Sequence, residues 1–206
     1  MPPLLLPSPQ RAVQIVATDA DLGRVLLGIA RSAIGEGLGL DARPPGDHPA
    51  LHSNAATFVT LKQLGDLRGC IGSLEARRPL GVDVRENAIA AAFRDPRFPS
   101  LTAREFDTTS IEVSVLTSDE RVAAHSEEEL IATLRPGVDG VIVQHGANRA
   151  TFLPQVWETI ADPQAFLRAL KRKAGLPEDF WSPALNVSRY TVTKWAETEF
   201  LLSEER

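Results

Sequence analysis

The stretch ATFVTLKQLGDLRGCIGS, residues 56–73, can close into very few shapes. Val59 and Leu61 alternate with Thr60 and Lys62, Gly65 and Asp66 follow, and a second extended run begins at Leu67. Period-two alternation turns one face of each run toward a core, and a Gly-Asp pair reverses the chain. The segment therefore predicts a β-hairpin whose turn centres on Gly65–Asp66. In it Arg68, Cys70 and Gly72 share one face, and Leu67, Gly69 and Ile71 the other.

The rest of the pattern alternates between helix and strand. TDADLGRVLLGIARSAIGEG carries Leu22, Val25, Leu26, Ile29, Ala33 and Ile34 at helical spacing, with Thr18 and Asp21 as the capping signal and Gly35 and Gly37 as the stop. Residues 41–54, rich in Pro, Gly and Asp, predict a loop. Pro79 opens a helix through Phe93, whose Ala88, Ala90, Ala91 and Ala92 let it lie close to a sheet. SIEVSVL is the clearest strand, with Ile111, Val113 and Val115 on one face and Glu112, Ser114 and Leu116 on the other.

Further on, Ser126 and Glu129 cap a short helix. GVIVQHGANRATFLP reads as two strands joined at His145 to Asn148. Pro154 and Pro163 each open a helix, the second burying Phe166, Leu167 and Leu170 and ending at Gly175. NVSRYTVTKW alternates like one strand. Strands in hairpin-like pairs between helices give an α+β domain with antiparallel or mixed sheets packed with helices. Residues 1–10, MPPLLLPSPQ, read as a disordered leader, and residues 11–206 as a single domain or two subdomains sharing a core.

Charge and cysteine usage narrow the function. With 22 Lys+Arg against 27 Asp+Glu the net charge is -5, whereas nucleic-acid binders carry a basic field that displaces counterions. Nucleic acid is thereby disfavoured, surviving only as a local patch at Arg68, Arg77 and Arg78. No apolar run approaches the ~20 residues that span a bilayer. One cysteine cannot form an internal disulfide, a cysteine-rich zinc site or an iron–sulfur cluster, so a reducing, cytoplasmic home is expected.

Cys70 has two readings. It is a nucleophile or soft ligand beside Arg68, since a neighbouring cation favours the thiolate and flanking glycines let a ligand approach the backbone. Or it is a small hydrophobe in a strand, with the glycines serving a bulge or helix packing. Glu112 is either a general base bordering a binding site or an ordinary solvent-facing strand residue.

The histidines make a weak metal signal, because Pro49 and its loop disfavour a helix presenting His48 and His52 together, and His145 sits at a hairpin tip. A mixed site of Cys70, His145 and Glu112 stays open. Lys171 to Lys173 at the end of a helix complement its dipole. Trp157, Trp181 and Trp195 read as core or subdomain contacts.

Five blocks in order, FVTL (58–61), LRGCIG (67–72), DPRFP (95–99), IEVSVL (111–116) and ATFLPQV (150–156), resemble the AMMECR domain family. Within it they are most similar to the bacterial and archaeal AmmeMemoRadiSam system protein A group. The resemblance implies a larger and a smaller subdomain around a cleft, and an association with a Memo-like protein and a radical SAM protein. It brings no particular reaction and no cofactor with it.

What it does imply is a functional surface. Arg68, Cys70 and Glu112 are the catalytic candidates, and Gly69, Ile71, Gly72, Asp95 and Arg97 the ligand-binding ones; no metal ligand is assigned. The chain is then an enzyme or enzyme subunit with a small-molecule site, or an adaptor docking a partner protein through LRGCIG. With one cysteine it cannot itself hold the three-cysteine cluster of a radical SAM enzyme.

Overall fold

The computed structural model describes residues 19–41 and 45–198; the leader assigned to residues 1–10 and the capping residue Thr18 lie outside them. Two compact units appear. One runs to Val113 and takes the chain back at Ala196; the other is Ser114–Trp195. The fold is α+β.

The first unit opens with α1, Ala20–Gly37. Its N-cap is Asp19, which accepts the Leu22 N–H at 2.9 Å, one residue from the expected Thr18 signal. Leu22, Leu26, Ala33 and Ile34 are buried as the spacing predicts. The helix runs through Gly35 and ends at Gly37, as the sequence predicts. The left-handed turn that closes it is Gly39 at φ 72, where Leu40 N–H bonds to Gly35 O and Gly39 N–H to Glu36 O, the bonding of a Schellman end. Gly35 instead faces the ring of Phe106.

Within the expected loop, Pro49–His52 forms a 3-10 turn capped by His48. The hairpin follows as β1, Asn54–Gln63, and β2, Asp66–Gly72. Its turn is Leu64–Gly65, one residue earlier than expected, with both residues at positive φ (52 and 91), the geometry of a type I′ turn. Pairing runs antiparallel, Phe58 opposite Gly72 through Leu61 opposite Gly69, then shifts so that Lys62 lies opposite Leu67. Arg68 is thus an extra residue, a β-bulge.

That bulge corrects the expected faces. Thr60 and Lys62 share a face of β1, so their partners Cys70 and Leu67 share it, and Arg68 does not line up with Cys70. The alternation expected from sequence holds only on one side of the bulge.

β3, Arg78–Pro79, pairs with Asn54 and Ala55 of β1. Helix α2, Leu80–Phe93, starts just after Pro79 and buries Val84, Ala88, Ala91 and Ala92. Across from it, Val59 and Leu61 are fully buried. After the short α3, Ala103–Phe106, comes β4, Thr109–Leu116, which flanks β1 on the side away from β2. Arg31 of α1 ties this unit together through Glu197 and the carbonyls of Phe106 (2.9 Å) and Thr109 (2.7 Å).

The second unit holds β5 (Glu120–Arg121), α4 (Glu127–Thr133), β6 (Gly140–His145), β7 (Asn148–Phe152), α5 (Pro163–Lys173), β8 (Asn186–Tyr190) and all but the last residue of β9 (Val192–Ala196). Pro154 opens a 3-10 turn rather than an α-helix. The last alternating stretch is two strands, broken at Thr191, rather than one. The order β5-β8-β6-β7 is antiparallel throughout. Its core gathers Leu130, Val141, Val143, Trp157, Phe166, Leu170 and Val187. Trp157 stacks on Phe166 at 3.7 Å and donates to the Asp139 carbonyl at 2.7 Å.

Candidate functional site

β2 is an edge strand. Ser73 N–H bonds to Thr57 O at 2.9 Å, and antiparallel pairing alternates from there, so the N–H and C=O of Cys70 point away from β1. Both are taken by the turn after α2. Asp95 Oδ2 accepts the Cys70 N–H at 2.8 Å, and Arg97 donates to the Cys70 carbonyl at 3.2 Å. Arg97 and Asp95 are themselves paired at 2.7 Å, the aspartate buried and the arginine half-exposed. Arg97, then the N–H groups of Cys70 and Arg97, hold the Asp95 carboxyl well below the usual carboxylate range against the opposing effect of burial. Asp95 in turn pushes the Arg97 guanidinium up, with a smaller contribution from Cys70.

The Cys70 thiol, half-buried, accepts from the Thr60 hydroxyl at 3.3 Å. Two residues along the same face of β1, Lys62 bonds to Glu112 of β4 at 2.7 Å. Cys70, Thr60, Lys62 and Glu112 therefore lie on one polar face spanning three strands. Sequence reading missed Thr60 and Lys62; their place on the polar side of the alternation was the available signal.

Arg68 goes elsewhere. It is buried, its Nε donating to Glu105 Oε1 at 3.0 Å, with a weak contact at 3.5 Å to the Ser100 carbonyl. Glu105 is also half of the α3 capping box with Thr102. Arg68 first, then Thr102, lowers its pKa to about 2. Arg68 Nη1 is the buried side-chain nitrogen without a hydrogen-bond partner among the described residues.

The glycines are packing residues here. A Cβ on Gly69 would run into the Ala91 carbonyl of α2, and one on Gly72 into the Phe58 ring and the Thr57 carbonyl. Ile71, opposite Val59, is half-buried.

The motif's far end is held by a third carboxylate that sequence reading missed. Asp83 of α2 accepts from Thr57 N–H (3.0 Å), Thr57 Oγ1 (2.7 Å), Ser73 Oγ (2.6 Å) and Asn87 Nδ2 (2.9 Å), and its other oxygen pairs with Arg78. Asp83 and Asn87 stand four apart in a helix of small apolar residues, which was the signal. Arg77 pairs with Glu75, so Arg68, Arg77 and Arg78 each go to a different carboxylate and form no basic patch.

In the other unit, His145 packs edge-on against Phe180 at 4.8 Å. Among the described residues no three of His, Cys, Asp and Glu gather to hold a metal ion. Nor is any described helix long and apolar enough to cross a membrane. Lys171, Arg172 and Lys173 stand in the last turn of α5 as the dipole reading has it, and Lys171 is in addition buried against Glu127 at 2.7 Å.

A model of the AMMECR1 family matches residues 27–195. The chain belongs to the AMMECR1 family. Among similar AMMECR1 relatives, a Thermofilum pendens protein is 41% identical over 199 residues, covering 87% of this chain and 91% of that one. A Methanothermobacter thermautotrophicus protein is 43% identical over 175 residues, covering 82% and 91%. A solved structure, the uncharacterized protein PH0010 from Pyrococcus horikoshii, matches with a TM-score of 0.72 at 37% identity over 85% of this chain and 91% of that one.

For this AMMECR1 chain the geometry means that LRGCIGS is held by three carboxylates arriving from later elements: Asp83, Asp95 and Glu105. Their partners are backbone groups, hydroxyls and arginines. What the strand offers outward is the Cys70 thiol with its hydroxyl neighbour, next to the Lys62–Glu112 ion pair.

Proposed function

We propose that Cys70 is the working thiol of a small-molecule site, in a protein that acts as an enzyme or enzyme subunit beside a Memo-like protein and a radical SAM protein in a modification pathway, as an AmmeMemoRadiSam system protein A. On this reading residues 11–206 work as one cytoplasmic domain. The observation that carries it is the clasp of Asp95 and Arg97 on both backbone polar groups of Cys70. A buried carboxylate and its arginine spent on a single strand residue fix the position of its thiol, as a site that must hold a reacting or ligating atom requires. Thr60 orients the sulfur, and Lys62 with Glu112 supplies acid–base groups on the same face. Asp95 and Arg97 act as positioning residues, and Arg68 supports the strand through Glu105.

The test is intact-mass spectrometry of the protein isolated from cells, comparing wild type with Cys70→Ser at matched circular dichroism. A small molecule retained or covalently carried by wild type and lost from the serine variant is the expected result. Equal retention by both would remove Cys70 from the site.

A docking role through LRGCIG has less surface to work with, because Arg68 and Gly69 are buried. A specific observation favours docking elsewhere, at the tip of the same hairpin.

A further inference from the structure

We infer that the β1–β2 hairpin tip is a docking finger that inserts Leu64 into an apolar, basic-rimmed socket on a partner protein. Leu64 is 95% exposed, whereas the next most exposed large apolar residue among the described ones is Val82 at 47%. Among the described residues it is also the one non-glycine at positive φ. That conformation brings the Cβ of an L-residue too close to the following carbonyl, which is why Asn-Gly fills the same turn at lower cost. A leucine there opposes both the backbone and solvation, and at 95% exposure no described residue covers it.

The stem is stiff. β1 is paired with β2 from Phe58 to Gln63, right up to the turn, and Gln63 Nε2 reaches Thr108 Oγ1 at 3.2 Å, so little freedom is lost when the tip engages. Leu67, 43% exposed, extends the apolar surface one step down the strand.

Two features choose the occupant. Asp66, opposite Gln63, and Asp107, next to Thr108, are both exposed, so the flank is acidic on a chain of net charge -5. A basic rim complements it, and an anionic membrane does not. Leu64 and Leu67 are the exposed large apolar residues of the tip, and two side chains are little beside the ~800 Å² per partner of a standard interface, so a second copy meeting it face to face gains too little. A concave pocket enclosing one leucine is the arrangement that makes a small anchor count.

The proposal rests on the reading that this chain works beside a Memo-like and a radical SAM protein, and those two purified proteins are the probes. Binding of wild type, Leu64→Asn, Leu64→Met and the double variant Asp66→Asn with Asp107→Asn is measured by surface plasmon resonance at low and high salt, together with melting temperatures. The expected result is that Leu64→Asn raises the melting temperature by about 2–4 °C while weakening one partner by about tenfold or more. Leu64→Met keeps the affinity, and the double variant slows association mainly at low salt.

If wild type binds and Leu64→Asn binds equally well, the docking finger is wrong while the partnership stands. If wild type binds neither protein, the partnership fails and the finger with it. Leu64-dependent binding to vesicles of equal phosphatidylcholine and phosphatidylglycerol, or Leu64-dependent dimerisation, would also overturn the proposal.

Discussion

The carboxylate of Asp95 takes the backbone N–H of Cys70 at 2.8 Å, twenty-five residues away in the chain. With Arg97 on the carbonyl of the same residue, the pair does for Cys70 what a neighbouring strand would do, and it closes a sheet edge that would otherwise be free to pair. Removing the carboxylate leaves a strand N–H unpaired and Arg97 without its counter-charge. Asp95→Ala is expected to cost about 1–3 kcal/mol in urea unfolding, with Asp95→Asn in between. An unchanged midpoint would show that the clasp contributes no stability.

Acid should loosen the LRGCIGS anchors in a defined window. The folded pKa of Glu105 is lowered to about 2 by Arg68 and Thr102, below the usual carboxylate value of the unfolded chain. Its contribution is therefore complete above pH ~5 and is lost as pH falls through the ordinary carboxylate range toward 2. Asp95, depressed further, extends the loss in the same direction. Unfolding midpoints measured from pH 6 to 2 should fall less steeply for Glu105→Gln than for wild type; parallel curves would contradict the assignment.

Gly69→Ala drives a methyl into the Ala91 carbonyl of α2. Backbone on both sides leaves little room to relax, so a loss of about 1–3 kcal/mol or more is expected. Gly39→Ala, at φ 72 in open space, should cost only the left-handed backbone strain, about 1–2 kcal/mol. Equal melting temperatures for Gly69→Ala and wild type would mean the glycine serves ligand approach rather than helix packing.

In the second unit the buried Lys171 depends on Glu127, with the Phe180 carbonyl as its other acceptor at 3.2 Å. Glu127→Ala strands the ammonium and is expected to destabilise by about 3–5 kcal/mol, while Lys171→Met, which removes the charge and keeps the volume, is close to neutral. Denaturant titration of both variants checks the asymmetry, and a neutral Glu127→Ala would refute it.

The hairpin and the Glu112 strand were legible because alternation is a local property of the chain. The bulge at Arg68 was not, because register belongs to a pair of strands; one extra residue moved Arg68 off the Cys70 face and into the reach of Glu105. The helix stop at Gly37 was legible too, but not its closing turn. Gly37 is small to admit the Phe93 ring, and Gly39, two residues on, takes the left-handed turn. DPRFP was visible as a motif, but that its two charges meet on one backbone residue required the fold. Lys171 shows the same limit, since its place in the last turn of a helix was legible but its burial against Glu127 was not.

The account turns on Cys70 presenting a held, reachable thiol, and the alkylation rate of native protein by iodoacetamide, measured against pH and compared with urea-unfolded protein, tests it most directly. The account predicts stoichiometric labelling of Cys70 in the native state, at a rate that changes when Arg97→Gln removes the neighbouring guanidinium. Negligible labelling until the protein unfolds would contradict it and leave Cys70 as a packed strand residue.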